Sequence, residues 1–154
     1  MNPEEKIKQL QVKIPSAPKA VGLYKPVLVT QSYVYFSGHL PILENGTVIT
    51  GQVGQDITIE RGAEAARVVG LNILGSLRET LGSLDKVKSV IKLMGMVRSK
   101  PDFAEHAKVI NGCSELFRDI WGDDRGVGVR SAFGVSGLPA NASVEIEGIF
   151  QLVE

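Results

Sequence analysis

The sequence predicts an α/β (α+β) domain: a mixed β-sheet with two helices packed on one face. Two long stretches repeat apolar residues at three- and four-residue intervals, the signature of amphipathic helices. Runs rich in Val, Ile and Phe precede, separate and follow them, and Gly and Pro punctuate the junctions. Strands and helices interleaved in this way bury their apolar faces by laying the helices against one sheet. The 154 residues suit a single domain, 1–154, with residues 1–19 as an N-terminal arm.

Residues 1–12 mix charged and apolar groups, as a short amphipathic helix or a loose arm would. Pro15, Pro18 and Pro26 make the stretch from Lys13 to Pro26 extended and irregular. Val27 to Phe36 is β-rich, with a turn at Thr30-Gln31-Ser32. Asn45-Gly46, between the apolar runs Leu40–Leu43 and Val48–Ile49, predicts a hairpin with a type I′ turn.

The first long helix is expected from Thr58 to Leu81, with Ala66, Val69, Ile73, Leu77 and Leu81 on one face and Gly82 as its stop. Gly70 and Gly75 within it each cost about 1 kcal/mol relative to Ala, so they point to close approach by a sheet or a neighbour. Val87 to Val97 reads as a strand. The second helix is expected from Asp102 to Ile120, striped by Val109, Cys113, Leu116, Phe117 and Ile120. Asp123 to Gly128 reads as a polar loop, and Val129–Ser136 and Ser143–Val153 as the last strands. One sheet face then lacks helical cover, and three such sheets closing round an axis would hide it.

Composition excludes several classes. Seventeen basic and 17 acidic side chains give zero formal charge, without the basic excess or aromatic stripe of a nucleic-acid binder. The single cysteine, Cys113, rules out an internal disulfide, and His39 and His106 match no metal spacing. No metal and no cofactor are expected. No segment reads as a signal peptide or membrane span, so the expected location is cytoplasmic. Gly126 and Gly128 form no phosphate loop.

The segment Arg130-Ser-Ala-Phe-Gly-Val-Ser-Gly-Leu-Pro-Ala-Asn-Ala-Ser-Val-Glu145-Ile-Glu147-Gly resembles the signature of the Rid (reactive intermediate deaminase, or YjgF) family. Ala20-Val-Gly-Leu-Tyr24, Ser37-Gly38-His39-Leu40-Pro41, Asp102-Phe103-Ala104 and Val109-Ile110-Asn111 resemble further family segments in the same order. The resemblance implies a fold like Bacillus-type chorismate mutase, a homotrimer and a small-molecule cleft between subunits. It implies hydrolytic deamination of 2-imino acids, with Arg130 on the substrate carboxylate and Glu145 beside the water. Tyr24, Ser37, Asn111 and Ala132 would line the pocket. Three departures mark a divergent branch: a longer stretch from Asn111 to Arg130, Ala132 where many deaminating members carry cysteine, and His39 in place of Gln.

The residue types suit that chemistry. A guanidinium binds a carboxylate with two parallel hydrogen bonds and so fixes its orientation. Glu145 and Glu147 alternate with Val144 and Ile146, so in a strand both carboxylates share a face. In a cleft, Glu145 would accept a proton from water attacking the C=N carbon, while a solvated strand face would show the same pattern. Glu147 fits an ion pair with a basic residue at an interface. Tyr24 equally suits packing of the arm, and Asn111 suits holding backbone. His39 fits a strand end, His106 a solvent-facing site on its helix, Cys113 the core, and Trp121 the end of the second helix. Arg130 and Glu145 are expected to meet across a water-sized gap at a seam between protomers. The alternatives are another small carboxylate as substrate, a non-enzymatic ligand-binding or chaperone-like protein, and the endoribonuclease activity ascribed to some of the family.

Overall fold

A computed structural model describes residues 1–154. Its elements are α1 (Pro3–Gln9), β1 (Val27–Val29), β2 (Tyr33–His39), α2 (Ile59–Leu81), β3 (Val87–Arg98), α3 (His106–Gly126), β4 (Val129–Val135) and β5 (Val144–Leu152). The five strands lie in the order β1-β2-β5-β3-β4. Only β3 and β4 run parallel, and α3 is the crossover between them. Helices α2 and α3 pack against each other over one face, as the periodicity requires.

The arm begins as a helix. Asn2 and Glu5 form a reciprocal capping box around its first turn. The Glu4 carboxylate accepts two hydrogen bonds from the Arg78 guanidinium, at 3.1 and 2.6 Å, and one from the Leu84 N–H at 3.0 Å. These contacts tie α1 to the end of α2.

The turn at residues 30–32 lies between β1 and β2, as expected. The Asn45-Gly46 hairpin is a different turn from the one predicted. Gly46 has a positive φ of 85° but Asn45 does not, and the Gly46 N–H closes a bond to the Leu43 carbonyl at 2.8 Å. Asn45 instead spends its side-chain oxygen on the Thr47 N–H at 3.0 Å. That local bond favours a three-residue loop with glycine in the left-handed position over a two-residue type I′ turn.

Helix α2 starts at its Thr58 cap and stops at Gly82, which is left-handed with φ 82°. Its internal glycines mark close approach. A Cβ at Gly70 would stand 3.0 Å from Leu116 and 3.1 Å from the Cys113 sulfur, and one at Gly75 would stand 2.5 Å from the Pro15 carbonyl. Gly112 on α3 answers Gly70: a methyl there would overlap the backbone of Ala63. The two helices thus touch nearly backbone to backbone. Cys113 lies fully buried at this crossing.

Helix α3 departs from expectation at both ends. It begins at His106, not Asp102, because Lys100-Pro101-Asp102 is taken up by a turn closed from Phe103 N–H to Lys100 O at 3.1 Å. It breaks at Gly122, with φ 80° and ψ 172°, then resumes to Gly126 where a loop was expected. Trp121, just before the break, is buried and donates its indole N–H to the Val87 carbonyl at 3.2 Å.

Strand β3 carries bulges between Val87 and Ser89 and between Val90 and Lys92. The second lets Val90 and Leu93, an odd number of residues apart, both enter the core. The opposite face carries Leu28, Tyr33, Tyr35, Val129 and Phe133, each between 39% and 67% exposed. These apolar side chains share the face with Glu145, Glu147 and Lys92, and no helix of the chain covers it.

Substituting Gly112→Ala should destabilise the fold by about 1–3 kcal/mol, because neither helix backbone can retreat without opening the core. Gly46→Ala meets open space and should cost only about 1 kcal/mol, through its positive φ alone. Chemical denaturation of the two variants measures the difference.

Candidate functional site

The predicted site residues fall into two clusters. The first gathers on β4 and α3. Arg130 pairs in register with Leu93, whose side chain is buried under the helices, so Arg130 points to the helical side. There its Nη1 donates to the Asn111 amide oxygen at 2.8 Å and to the Ser114 hydroxyl at 3.0 Å, and its Nη2 donates to the Ala107 carbonyl at 3.4 Å. Three of the five guanidinium N–H groups are therefore used for positioning, which leaves two for a ligand. Asn111, expected to hold backbone, holds the Arg130 guanidinium instead. Ala132, two residues on, faces the same side and packs partly against the core. A cavity of about 290 Å³ opens beside Arg130, lined by Asn111, Ser114, Glu115, Arg118 and residues 126–128.

The second cluster gathers on β2 and β5. Glu145 pairs with Met96, three residues from Leu93 with no bulge between them. Three is odd, so Glu145 faces away from the helices. Its carboxylate lies directly over Gly38, where any side chain would collide with it. Partial burial pushes its pKa up from the usual 4.5, and the like charge of Glu147 adds to the shift. Glu147 lines a cavity of about 500 Å³ on the open face together with Lys25 and Lys92.

Ser37 and Tyr24 border this cluster. Ser37 lines the same cavity as Glu147, and its hydroxyl donates to the Lys25 carbonyl at 2.5 Å, which holds the incoming segment. The Tyr24 hydroxyl accepts weakly from the Val21 N–H at 3.5 Å, and the ring stays 45% exposed beside Gly38 and His39.

Arg130 and Glu145 therefore do not meet within one chain. The expectation puts their meeting at a seam between protomers, and within one chain strand alternation sends them to opposite sides of the sheet.

The histidines also differ from a purely peripheral reading. His39 does end β2, but it is buried, donating from Nδ1 to the Ser37 carbonyl at 2.7 Å and bonded through Nε2 to the Ser76 hydroxyl at 2.8 Å. The carbonyl can only accept, so the neutral ring carries its proton on Nδ1 and Ser76 donates to Nε2. Burial pushes its pKa down from 6.5, outweighing the Ser37 bond. His106 is half-buried, stacked edge-on against Phe103 and bonded to the Ser99 hydroxyl at 3.2 Å, not solvent-facing as expected. The start of the helix lies against the end of β3, which draws its first residue inward. Sequence reasoning also missed Ser114. It lies three residues beyond Asn111, so polar residues read at helical spacing would have found it.

Together the fold and the clusters define a small α/β domain that presents a clamped arginine and a half-buried carboxylate on opposite faces of one sheet. The chain belongs to the family described as "YjgF/chorismate mutase-like, putative endoribonuclease", whose profile matches residues 4–148. Its mixed sheet and helices have the chorismate-mutase-like fold of that family. It is 35% identical to protein TCP17 of Trypanosoma cruzi over 146 residues, 95% of this chain and 91% of that one. The crystal structure of Atu1372, of unknown function, from Agrobacterium tumefaciens superposes with TM-score 0.87 at 37% identity, covering 98% and 94% of the chains. That of a Shewanella oneidensis protein described as a "putative endoribonuclease" reaches TM-score 0.92 at 27% identity, over 99% and 100%. No helix is long and apolar enough to cross a membrane.

His39 should make the fold acid-sensitive. The neutral ring is favoured in the folded state, so its contribution is full above 6.5 and is lost as pH falls through the depressed folded value. Stability measured by denaturation between pH 7 and 5 should fall with pH, and His39→Gln should flatten that slope.

Proposed function

We propose that this protein hydrolyses small reactive 2-imino acids at sites shared between protomers of a homotrimer. The observation that carries this reading is the split of one set of polar groups into two half-sites. Arg130, Asn111 and Ala132 stand on the edge strand and its helix, while Tyr24, Ser37 and Glu145 stand on the far side of the sheet. The uncovered apolar face supports packing of one copy on another. A seam that sets the β4 edge of one protomer against the β2–β5 surface of the next would bring the halves together.

Arg130 would receive the substrate carboxylate on its two unused N–H groups, fixing the C=N carbon in position. Water adds to that carbon, and Glu145 accepts the proton the water loses. The nitrogen, protonated in turn, leaves as ammonia and a keto acid forms. A raised pKa suits this role, since Glu145 is then a stronger base than an ordinary carboxylate. Imines hydrolyse unaided in water, so one positioned water and one carboxylate provide enough acceleration without a cofactor. The expected place of work is the cytoplasm.

Freshly generated 2-iminopropanoate, followed by ammonia release, tests the reading. Arg130→Ala should lower kcat/KM by about 100-fold or more. Because Glu145 must be ionised, activity should fall as pH drops through a value above 4.5, and Glu145→Gln should remove that limb with the rate. Rates equal to the buffer blank across several imino acids would refute deamination, and ligand-induced stabilisation that persists in Glu145→Gln would then identify a binding protein. Sedimentation should give three times the chain mass, and a monomer at micromolar concentration would contradict the shared site.

A further inference from the structure

The Arg130 cavity holds a second guanidinium. Asn111, Ser114, Glu115 and Arg118 lie at positions i, i+3, i+4 and i+7 of α3 and form one stripe along its surface. All four line the same cavity of about 290 Å³ as Arg130. Side chains on a helix lean toward its N-terminus, so Arg118, one turn beyond Ser114, can swing toward the Arg130 side of the cavity that both line. Its one ion pair is a long contact of 3.5 Å to the adjacent Asp119, with both side chains 46% exposed. Such a pair contributes little and exchanges readily for a better anion. Arg130, by contrast, is fixed by Asn111 and Ser114.

Glu115, beside Ser114 on this stripe, lines the same cavity as the two arginines. The cavity thus carries two positive charges and one negative. A 2-imino acid with one carboxylate answers only one of these charges. One with a second acidic group on its side chain, protonated at the imine nitrogen, answers all three. Residues 126–128 line the cavity too, brought there because α3 breaks at Gly122 and resumes to Gly126. The extra length between Asn111 and Arg130 therefore shapes one wall of the cavity.

We infer that the preferred substrates are imines of acidic amino acids, dicarboxylates whose second carboxylate is received by Arg118. The inference rests on Arg130 being the carboxylate anchor, and it assigns Arg118 to specificity. Two measurements on the full chain test it. In the first, succinate and propionate are titrated by calorimetry. Succinate should bind at least about tenfold more tightly, and Arg118→Ala should erase that margin without changing propionate affinity. Arg130→Ala should weaken both ligands. In the second, kcat/KM is compared for 2-iminosuccinate and 2-iminopropanoate. Arg118→Ala should raise KM for the first about tenfold, leaving kcat and the second substrate unchanged. Equal binding of the two acids, or a loss in Arg118→Ala shared equally by both, would overturn the inference. Hydrolysis of both imines with no preference would overturn it while leaving the proposed deaminase intact. Tight succinate binding dependent on both arginines, with no imine turned over, would overturn the imine substrates together with the deaminase and leave only a dicarboxylate-binding site.

Discussion

Arg130 stands on the outermost strand of the sheet, yet a helix holds its guanidinium. Asn111 and Ser114 accept from Nη1 on the side where β4 faces α3. This contact connects the crossover helix to the strand it delivers, and it turns a mobile edge side chain into a fixed fork. The position of that fork depends on α3 lying flat and close, which in turn depends on Gly70 and Gly112 letting the two helices meet. A bulkier crossing would lift α3, and Asn111 with it, away from β4. The geometry of the polar cluster is therefore set in the core, two layers below the surface where a ligand would arrive.

The opposite cluster has its own support. Glu145 rests on Gly38 because β2 is irregular between Phe36 and His39. His39 anchors that irregularity through the Ser37 carbonyl and Ser76 of α2. The Ser37 hydroxyl fastens the chain leading into β1. Each of these bonds is local, and together they present a bare backbone beneath a carboxylate. The cost of partly desolvating that carboxylate is what raises its pKa.

Much of this was legible in the sequence. The stripe from Ala66 to Leu81 and the stop at Gly82 gave α2 its bounds, because helical periodicity and a left-handed cap are local properties. Gly70 and Gly75 announced close neighbours but could not say which, since that depends on the chain folding back. The hairpin at Asn45 was found but mistyped, because a side-chain bond to Thr47 decided between two turns that share glycine. The helical turns after Gly122 were hidden by a polar composition that reads as loop. Arg130 and Glu145 stood out as candidates in their motif. Their separation was not, because it depends on which partner each strand pairs with and whether β3 bulges between residues 93 and 96. Parity within one strand can be read from sequence, but parity between strands needs the register.

Cys113 closes the crossing of α2 and α3, wholly buried against Gly70. Burial pushes its thiol well above the usual range, so the reactive thiolate is scarce in the folded chain. Only parting of the two helices would expose it to a reagent in solution. The molecule thus carries one internal reporter of its own opening. Its rate of alkylation would time the breathing of the helix pair that fixes Asn111, with no label added and no second sulfhydryl to confuse the signal.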